Sequence, residues 1–515
     1  MLYKDKVVVE YLKYGWPLNF TSDQLPVSDQ RNHKGARDYR GIIDLYLSAE
    51  SKLNRICGPF QSPPFEPFFT SPLNTVPKSD SQDRRVIVDL SWPLGKGVNS
   101  GIDVDLYLGA PSDLHFPTID DVIRLVNLAG TGCLIYKRDL KAAYRQFPVD
   151  PSDYRFLGYY WNGLYYFDTR LCMGQRSAAL ACQRSTRAVV FIMLAKSHTV
   201  TVYLDDFIGV ERVDNAWRAY YALEDLLQEL GLQESASKAL PPSSHQVVLG
   251  VLFDTINMSI SIPKSRVDDT RVMVDSWLSK SKASKRELQS LLGKLMFISK
   301  CVRQSRIFLN RIIAAIRALK HSFYKQKLNK EFRKDLLWWK EFLVIFNGVS
   351  IIPNHNWSDP DAVFATDACL SGCGGVSGSS FFRSEFPVSI QNRKLPIHDL
   401  ELLAVLVGFR VWKTELTGRR VLVYCDNMAS VYALNSGKSS GEFSARCLRE
   451  LWFLCCTVQA ELRAIHLPGV DNRLPDYLSR SHIDIEYFNK FLVETNNLYN
   501  ENFIDSSYFH MSDSF

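Results

Sequence analysis

The sequence lacks long hydrophobic segments, paired cysteine motifs and internal repeats. Its longest apolar run, residues 188–195, is far shorter than the ~20 residues of a membrane-spanning helix. The first residues contain no apolar signal-peptide core, so we expect an intracellular protein without a membrane partner. The eleven cysteines form no C-x-x-C unit, which favours reduced thiols over disulfides or a zinc site. Cys369 and Cys373 are four apart, but no second ligand pair accompanies them, so they are predicted to be small core residues.

Length and composition are those of a globular protein with several domains. The 515 residues are 46% hydrophobic and 23% charged, which excludes a mainly disordered chain. At roughly 150 residues per domain, a chain of this length is expected to form three or four domains.

The small net charge of +6 hides an uneven distribution. Residues 261–350 contain 20 Lys and Arg against 7 Asp and Glu, a net charge of +13, which leaves −7 for the rest of the chain. A basic segment of this kind is either a solvated helical face or a surface for phosphate backbones. Charge alone leaves both interpretations open.

The pattern of apolar residues indicates an α/β and α+β protein built from several parts. In the first half, strands are predicted at 84–90, 133–137, 200–204 and 247–253. Apolar residues three and four apart then predict helices between 283 and 346. A polar, proline-bearing stretch at 353–360 is a candidate linker. Beyond it, strands at 362–366 and 420–425 alternate with helices such as 398–416, the order of an α/β domain.

Two adjacent carboxylates end a predicted strand in Tyr203-Leu204-Asp205-Asp206, and Asp139 ends another strand upstream. Neighbouring carboxylates repel each other unless cations lie between them. Three acids on two strand ends suit two Mg²⁺ ions about 3.5–4 Å apart, the arrangement used for in-line attack at phosphorus. An Asp-Asp pair is also a common turn signal, so the dipeptide alone does not decide between the two interpretations.

Five short stretches surround these carboxylates. They are residues 71–90, 138–146, 171–178, 203–206 and 248–253. In order and spacing they resemble five motifs of the reverse transcriptases of LTR-type and related retroelements. In the same order, these are the fingers, the first catalytic motif, the motif that contacts template and nucleotide, the Tyr-x-Asp-Asp box and the primer grip. The resemblance covers roughly residues 30–480 and implies a right-hand polymerase with fingers, palm and thumb.

The resemblance implies roles for the polymerase residues. Asp139, Asp205 and Asp206 would bind two metal ions, Mg²⁺ or Mn²⁺, which activate the primer 3′-hydroxyl and neutralise the triphosphate of a deoxynucleotide. Lys78 and Arg85 would hold that triphosphate, the arginine as a bidentate fork and the lysine as a point charge. The implied partners are therefore an RNA template, a DNA primer and deoxynucleoside triphosphates.

Three further polymerase residues follow from the same resemblance. Tyr144 stands where the family has a steric gate against the ribose 2′-hydroxyl, with an ordinary core tyrosine as the alternative. Gly174 would let the backbone approach the nucleotide and template, and Lys238 would protonate pyrophosphate unless it is simply a solvated lysine. Met173 and Ala179 depart from the family pattern, which puts the nucleotide contacts at those two positions in doubt.

Four more carboxylates lie in the second half of the chain. Asp367 and Asp426 end predicted strands, whereas Glu401 and Asp476 lie in helical stretches. A single acid of this kind is more often a solvated residue or a helix cap. All four in this order resemble the ribonuclease H active site, a second cage for two Mg²⁺ ions. The resemblance implies cleavage of RNA in RNA–DNA hybrids, recognised by backbone shape and 2′-hydroxyls.

Two features of this second set leave alternatives. His466 precedes Asp476 by ten residues, the spacing of a mobile histidine that releases product in some ribonucleases H, but it could also be a histidine at a strand end. Asp426 and Glu461 are 35 residues apart, similar to the acid pair of integrases. Glu461 falls in a strand-like run, however, and the flanking motifs favour ribonuclease H.

These resemblances divide the chain into five predicted parts. They are an N-terminal extension with the start of the fingers (1–75), fingers and palm (76–260), a helical basic thumb or connection (261–350), a ribonuclease H-like domain (361–482) and a polar tail (483–515).

Several stretches are more similar to the DIRS/Ngaro branch of retroelements than to gypsy elements, among them residues 140–149, 287–295, 424–431 and 466–472. Elements of that branch usually encode a separate tyrosine recombinase, which is therefore an implied partner. The resulting hypothesis is a reverse transcriptase with ribonuclease H that serves retrotransposition. The alternatives are an inactive remnant that only binds nucleic acid, and an RNA-dependent RNA polymerase, which Tyr144 and the attached nuclease disfavour.

Overall fold

The computed structural model describes most of the chain in two compact units. The described residues are 3–29, 31–77, 83–103, 105–112, 114–321, 323–346, 348–352, 360–437, 439 and 441–512. Unit 1 consists of Met1–Leu249 and Thr255–Asn257, and unit 2 of Gly250–Asp254 and Met258–Phe515. Residues 353–359 of the predicted linker lie outside the described residues. The division into five parts inferred from the sequence remains a prediction.

Unit 1 combines helices with short strands. Its helices are α1 Val7–Tyr14, α2 Lys34–Asp38, α3 Arg40–Lys52, α4 Ile119–Ala129, α5 Ala178–Ala195 and α6 Val213–Glu229. Its strands are β1 Ile56–Phe60, β2 Leu73–Pro77, β3 Arg84–Val88, β4 Leu106–Tyr107, β5 Ala110–Pro111, β6 Leu134–Asp139, β7 Gly158–Trp161, β8 Leu164–Asp168, β9 Val200–Tyr203, β10 Asp206–Glu211, β11 Leu240–Ser243 and β12 His245–Val248.

An antiparallel sheet in the order β11-β6-β10-β9 carries the core of unit 1. Its apolar side chains, such as Val202 and Phe207, are almost fully buried. Helix α5 packs against β9, whereas α4 and α6 pack against β10. Thr118 and Asp121 start α4 through a reciprocal capping box. Strands β1 to β5, β7 and β8 form the smaller sheets β1-β8-β7, β2-β3 and β4-β5.

Helix α5 is, among the described helices, the one with the length and apolar composition of a membrane span. Half of that window is buried inside the protein. Core helices have the same composition, and α5 contributes residues such as Ala181, Cys182 and Val189 to the hydrophobic core of unit 1.

Unit 2 follows with more helices and a larger sheet. Its helices are α7 Lys264–Leu278, α8 Lys285–Ile298, α9 Asn310–Arg317, α10 Lys330–Ile345, α11 Val388–Gln391, α12 Ile397–Val411, α13 Lys413–Leu416, α14 Met428–Ser436, α15 Glu442–Thr457, α16 Arg473–Arg480 and α17 Ile485–Glu494. Its strands are β13 Val251–Asp254, β14 Ser259–Ser261, β15 Lys282–Ser284, β16 Lys325–Lys327, β17 Val349–Ile351, β18 Ala362–Ala368, β19 Gly372–Ser377, β20 Ser380–Glu385, β21 Arg420–Cys425, β22 Glu461–His466 and β23 Asn500–Glu501.

The main sheet of unit 2 has the order β22-β21-β18-β19-β20-β23. Strands β22, β21 and β18 are parallel, whereas β18, β19 and β20 are antiparallel neighbours. Helix α12 is buried from Asp399 to Phe409 and packs on β18. Because one strand order combines parallel and antiparallel pairs with helices packed against it, the α/β and α+β multidomain fold expected from the sequence is confirmed.

The basic helical segment belongs to unit 2. Helix α7 packs against α10, and α8 packs against α9. Asp335 of α10 is fully buried, and its carboxylate pairs with Arg311 of α9 and with Arg449 of α15. These ion pairs connect the basic segment to α15, one of the helices around the main sheet. Removing one partner would leave an uncompensated buried charge, so the connection is costly to break.

Two stretches differ from the sequence-based expectation. The single strand predicted at 247–253 is wrong, since Leu249 (φ 50°) and Gly250 (φ 81°) are left-handed and separate β12 from β13. The segment after 483, expected as a polar tail, forms α17 and the edge strand β23, which runs parallel to β20. Its Phe491 is fully buried against Phe381, so an amphipathic helix anchors this segment.

Candidate active sites

Three carboxylates meet at one end of the central sheet of unit 1. Asp139 is the last residue of β6 and pairs in register with Asp206, the first residue of β10. Asp205 lies in the turn between β9 and β10, since Asp206 also pairs with Tyr203. The main-chain N–H of Leu140 donates to the main-chain oxygen of Asp205 at 3.0 Å. The antiparallel register therefore brings together the three aspartates predicted from the sequence.

A buried glutamine of α5 holds the turn that carries Asp205. Leu204 has a left-handed backbone (φ 56°), a conformation that costs a non-glycine residue energy. Its N–H donates to Oε1 of Gln183 at 2.7 Å, and Nε2 of Gln183 donates to the carbonyl of Val202 at 2.9 Å. Sequence reasoning missed Gln183, although a polar residue on the buried side of an apolar helix was a usable signal.

Two lysines neutralise part of this carboxylate cluster. Nζ of Lys137 lies 2.8 Å from Oδ2 of Asp206, and Nζ of Lys238 lies 3.1 Å from Oδ1 of Asp139. Lys137 is largely buried, whereas the side chain of Lys238 is 65% exposed and can leave the aspartate at little cost. Lys137 was not foreseen from the sequence, because only the strand pairing places it beside Asp206.

The cluster has the chemistry of a cation site. Burial, and then repulsion by Asp139, raise the pKa of Asp205 above its usual range. Burial also raises the pKa of Asp206, which the hydrogen bond and charge of Lys137 partly offset. Oδ1 of Asp206 is buried and has no hydrogen-bond partner among the described residues. Hard divalent cations prefer such oxygen ligands, so these residues fit Mg²⁺ or Mn²⁺.

A cavity of about 600 Å³ opens beside the carboxylates. Arg85, Tyr144, Asp205 and Lys238 all line it, so the structure brings four predicted residues together. Gly174, Asp139 and Asp206 are not among its lining residues, and Lys78 lies outside the residues that the structure describes. A volume of this size suits a ligand of a few hundred daltons.

Two of the predicted residues, Arg85 and Gly174, contact residues of the cavity wall. Nη1 of Arg85 donates to the sulfur of Met173 at 3.6 Å, and Met173 is one of the two positions where the sequence departs from the family pattern. Gly174 has φ 100°, and a Cβ there would lie 3.2 Å from the carbonyl oxygen of Val88. Any side chain at Gly174 is therefore strained. Its own carbonyl accepts a hydrogen bond from Asn99 at 2.8 Å.

Tyr144 lies in the short 3₁₀ helix Ala143–Gln146 and is partly buried against the core of unit 1. Burial raises the pKa of Tyr144 to about 12, so its phenol stays protonated at neutral pH. The next residue, Arg145, is buried and pairs with Asp168 at 2.6 Å and with Glu50 at 2.8 Å. This ion-pair cluster anchors the helix that presents Tyr144 to the cavity.

The second set of carboxylates surrounds the carboxyl ends of two parallel strands in unit 2. Asp367 lies near the end of β18, and Asp426 directly follows β21, which is paired in parallel with β18. Glu401 projects from the buried helix α12, and Asp476 lies in α16, which packs on β18 and β19. Ligand sites in α/β sheets occur at such strand ends.

Hydrogen bonds hold these acids in place. Oε1 of Glu401 accepts from the N–H of Ala368 at 3.1 Å, and Oδ2 of Asp367 accepts from Oγ of Ser479 at 2.6 Å. Asp476 pairs with Arg480 at 2.8 Å. Ser479 was missed because serine is common in helices and no sequence spacing links it to Asp367.

A second cavity, of about 610 Å³, exposes this site. Asp367, Glu401, Asp426 and Arg480 line it, whereas Asp476 is not among its lining residues. Ligand atoms of Glu401, Cys425 and Asp426 lie within 4.8 Å of one another. Burial raises the pKa of the Cys425 thiol well above its usual value, so the carboxylates, rather than the thiol, are the groups that could hold a cation here.

Crowding of these acids shifts their proton affinities. Burial, with repulsion from Asp426 and Asp476, raises the pKa of Asp367 to about 7. Burial and repulsion from Asp367 and Asp426 raise the pKa of Glu401 well above its usual range. Divalent cations would remove this repulsion, and the residues present fit two Mg²⁺ ions.

His466 ends β22, where it pairs with Cys425 of β21. Its Nε2–H donates to the main-chain oxygen of Asp426 at 3.0 Å. In this position the imidazole supports the loop that carries Asp426. Glu461, considered above for an integrase-like pair, begins the same strand.

Replacing Asp367 by asparagine is expected to stabilise the cation-free protein at alkaline pH. Because folding raises the pKa of this carboxyl to about 7, the folded state binds the proton more tightly and loses stability as pH rises from about 4 to about 7. In EDTA at pH 8, the Tm of Asp367→Asn should exceed that of the wild type by several degrees, since about 1 kcal/mol shifts Tm by roughly 2–4 °C for a domain of about 150–250 residues.

Calorimetric scans at pH 5 and pH 8, with and without Mg²⁺, measure this effect. The variant should lose less Tm between the two pH values and gain less from Mg²⁺ than the wild type does. An equal change of Tm with pH in the two proteins would show that ionisation of Asp367 does not lower the stability of the cation-free protein.

The two units define a class of fold. Unit 1 has an antiparallel sheet whose β9–β10 hairpin carries Tyr-x-Asp-Asp, and unit 2 contains a mixed sheet with acids at the ends of its parallel strands. The chain therefore has the polymerase and ribonuclease H fold found in retroviral-type reverse transcriptases.

Solved structures with this fold are similar over most of the chain. The foamy viral protease-reverse transcriptase dRH in complex with double-stranded DNA matches with a TM-score of 0.52 and 14% identity, over 88% of this chain and 73% of that chain. The foamy viral protease-reverse transcriptase in complex with double-stranded DNA matches with a TM-score of 0.50 and 16% identity, over 88% of this chain and 87% of that chain. No protein-family model and no curated protein matches the sequence.

Proposed function

We propose that the protein is an RNA-directed DNA polymerase that also cleaves RNA in RNA–DNA hybrids. The register of Asp139 with Asp206, beside the Asp205 turn and the cavity of Arg85 and Tyr144, is the observation that carries this proposal. The fold supports it, because the solved structures to which the chain is similar are reverse transcriptases. Their complexes with double-stranded DNA support a nucleic acid partner, and we propose that its strands here are an RNA template and a DNA primer.

In the polymerase site, the three aspartates would hold two Mg²⁺ or Mn²⁺ ions. When bound, these ions supply charge neutralisation at the triphosphate and lower the pKa of the primer 3′-hydroxyl. Arg85 contributes a fork for two phosphate oxygens from the cavity wall. The exposed ammonium of Lys238 lines the same cavity and would donate a proton to the departing pyrophosphate.

Tyr144→Ala is expected to relax discrimination against ribonucleotides. On this proposal the ring in the cavity wall occupies the space that a 2′-hydroxyl would need, and forcing extra atoms into a packed site costs about 1–3 kcal/mol. The ratio of kcat/KM for deoxynucleotide over ribonucleotide should therefore fall roughly 10- to 100-fold. Tyr144→Phe keeps the ring and should retain the ratio.

Single-nucleotide incorporation with matched deoxy- and ribonucleotides provides the measurement. An alanine variant that is as selective as the wild type would rule out the gate and leave Tyr144 as a core residue.

In the second site, Asp367, Glu401, Asp426 and Asp476 would hold the cations that activate a water molecule for attack on an RNA phosphate. Ser479 and the N–H of Ala368 orient the two buried carboxylates before the cations bind. A labelled RNA strand within a hybrid tests this part of the proposal, since it should be cut internally while the same RNA as a single strand stays intact.

We further propose that this polymerase serves retrotransposition of an element of the DIRS/Ngaro branch. The motifs at residues 140–149 and 424–431 support this assignment. Such an element implies action inside the cell and a separately encoded tyrosine recombinase as partner. Loss of new insertions when either Asp205 or that recombinase is inactivated, in a cell-based insertion assay, is the expected result. New insertions that still occur when either Asp205 or the recombinase is inactivated would overturn this assignment.

A further inference from the structure

A two-stranded sheet in the basic segment of unit 2 carries a row of lysines. In the antiparallel pair of β15 and β16, Lys282 lies opposite Lys327, and Ser284 lies opposite Lys325. Residues directly opposite each other project to the same side of a sheet. Lys282, Lys325 and Lys327 therefore share one face, whereas Ala283 is fully buried on the other. We call these three residues the lysine face.

The lysine face is electrostatically unbalanced. Like charges directly opposite each other destabilise a strand pair. The three lysines are exposed, and residues 279–287 and 319–328 together hold seven Lys and Arg but one acid, Glu287. Glu287 is already engaged, since it pairs with Lys280 at 2.8 Å and caps α8. A polyanion bound to this face would remove the repulsion between the lysines.

Aromatic residues immediately precede β16, the strand that carries two of the three lysines. Phe323 is 71% exposed and Tyr324 is 47% exposed, and their centroids are 5.0 Å apart with the rings at 89°. The ring of His321 stacks on Phe323 at 5.8 Å. The N–H of Lys285 donates to the carbonyl of Tyr324 at 3.2 Å, which ties this segment to the start of α8. Large rings exposed beside a row of cations are unusual on a solvated surface.

The combination selects one kind of polyanion. Lysines alone would suit the phosphates of a duplex equally well, but bases inside a duplex are stacked on each other and cannot reach a protein ring. Proteins that bind single strands combine a basic track for phosphates with exposed rings for bases. We propose that the lysine face contacts the phosphates of single-stranded nucleic acid while Phe323 stacks on one of its bases. No carboxylate of either active site takes part.

Fluorescence anisotropy of the full chain tests the proposal, with a labelled oligothymidylate and a blunt duplex of the same length. Phe323→Ala should weaken single-strand binding roughly 5- to 100-fold, because stacking contributes about 1–3 kcal/mol per base. K282Q/K325Q/K327Q should reduce the slope of log affinity against log salt by about 2, at ~0.7 per phosphate on a single strand. Duplex affinity should be unaffected by Phe323→Ala.

Matched controls separate this site from general effects. Phe503→Ala removes a ring that is 86% exposed elsewhere in unit 2, and K4Q/K6Q/K13Q removes the same charge from unit 1. Both should bind as the wild type does, and Phe323→Trp should retain stacking and affinity.

Three results would overturn the proposal. The first is wild-type affinity of the Phe323→Ala and triple-lysine variants for the single strand. The second is a loss of duplex affinity in Phe323→Ala that parallels its loss of single-strand affinity. The third is an altered oligomeric state of these variants with unchanged nucleic acid binding, which would make the lysine face a protein contact. Binding is measured without catalysis, so a chain that extends no primer would refute the proposed polymerase and leave this test intact.

Discussion

Asp205→Asn is expected to lower primer extension about 10³-fold or more while hybrid cleavage continues at the wild-type rate. Metal ions at a phosphoryl-transfer site contribute several kcal/mol of transition-state stabilisation, and each 1.36 kcal/mol is tenfold in rate. The substitution removes one anionic oxygen from a site where Asp139 and Asp206 are partly neutralised by lysines. The turn should survive, because Leu140 donates to the main chain of residue 205.

The matched control is Asp225→Asn, an exposed acid of α6 in the same unit. It should extend a primer on an RNA template as fast as the wild type. Extension by Asp205→Asn within a factor of about ten of the wild type would contradict the assignment of the carboxylate cluster.

Glu401→Gln is expected to have the opposite effect on the two activities. Hybrid cleavage should fall about 10³-fold, whereas primer extension should stay normal. Glu401 is buried on α12 beside Asp367 and Asp426, so its charge matters chiefly for cation binding. The amide oxygen of glutamine can still accept the hydrogen bond from Ala368. The variant should therefore fold at least as stably as the wild type.

Glu442→Gln, at the exposed start of α15, is the matched control and should cut hybrid normally. Equal rates for Glu401→Gln and wild type would exclude a nuclease site at this sheet edge. Loss of both activities in Glu401→Gln would instead indicate damage to the fold, which a thermal melt would reveal.

The sequence predicted the parts of both sites that depend on local pattern. Asp139 and Asp206 each follow an apolar run that predicts a strand, so both were expected at strand ends and near each other. Lys137 and Gln183 were not predictable, because their partners lie on other elements and depend on register and helix packing. Ser479 was missed for the same reason.

The fold shows a similar division. The boundaries of β21 at Arg420–Cys425 agree with the prediction from its apolar run, since all its residues fit one buried strand. The break at Leu249 and Gly250 was missed, because the surrounding apolar residues favour a continuous strand and only backbone angles reveal the turn. The helix Ile485–Glu494 was missed because the stretch after 483 is mostly polar and its apolar residues bury one side only.

Primer extension by the purified full chain on an RNA template, with deoxynucleotides and ribonucleotides in parallel, tests the central claim most directly. We expect extension that requires Mg²⁺ or Mn²⁺, prefers deoxynucleotides and disappears in Asp205→Asn. Absence of extension with either cation, or a preference for ribonucleotides, would contradict it.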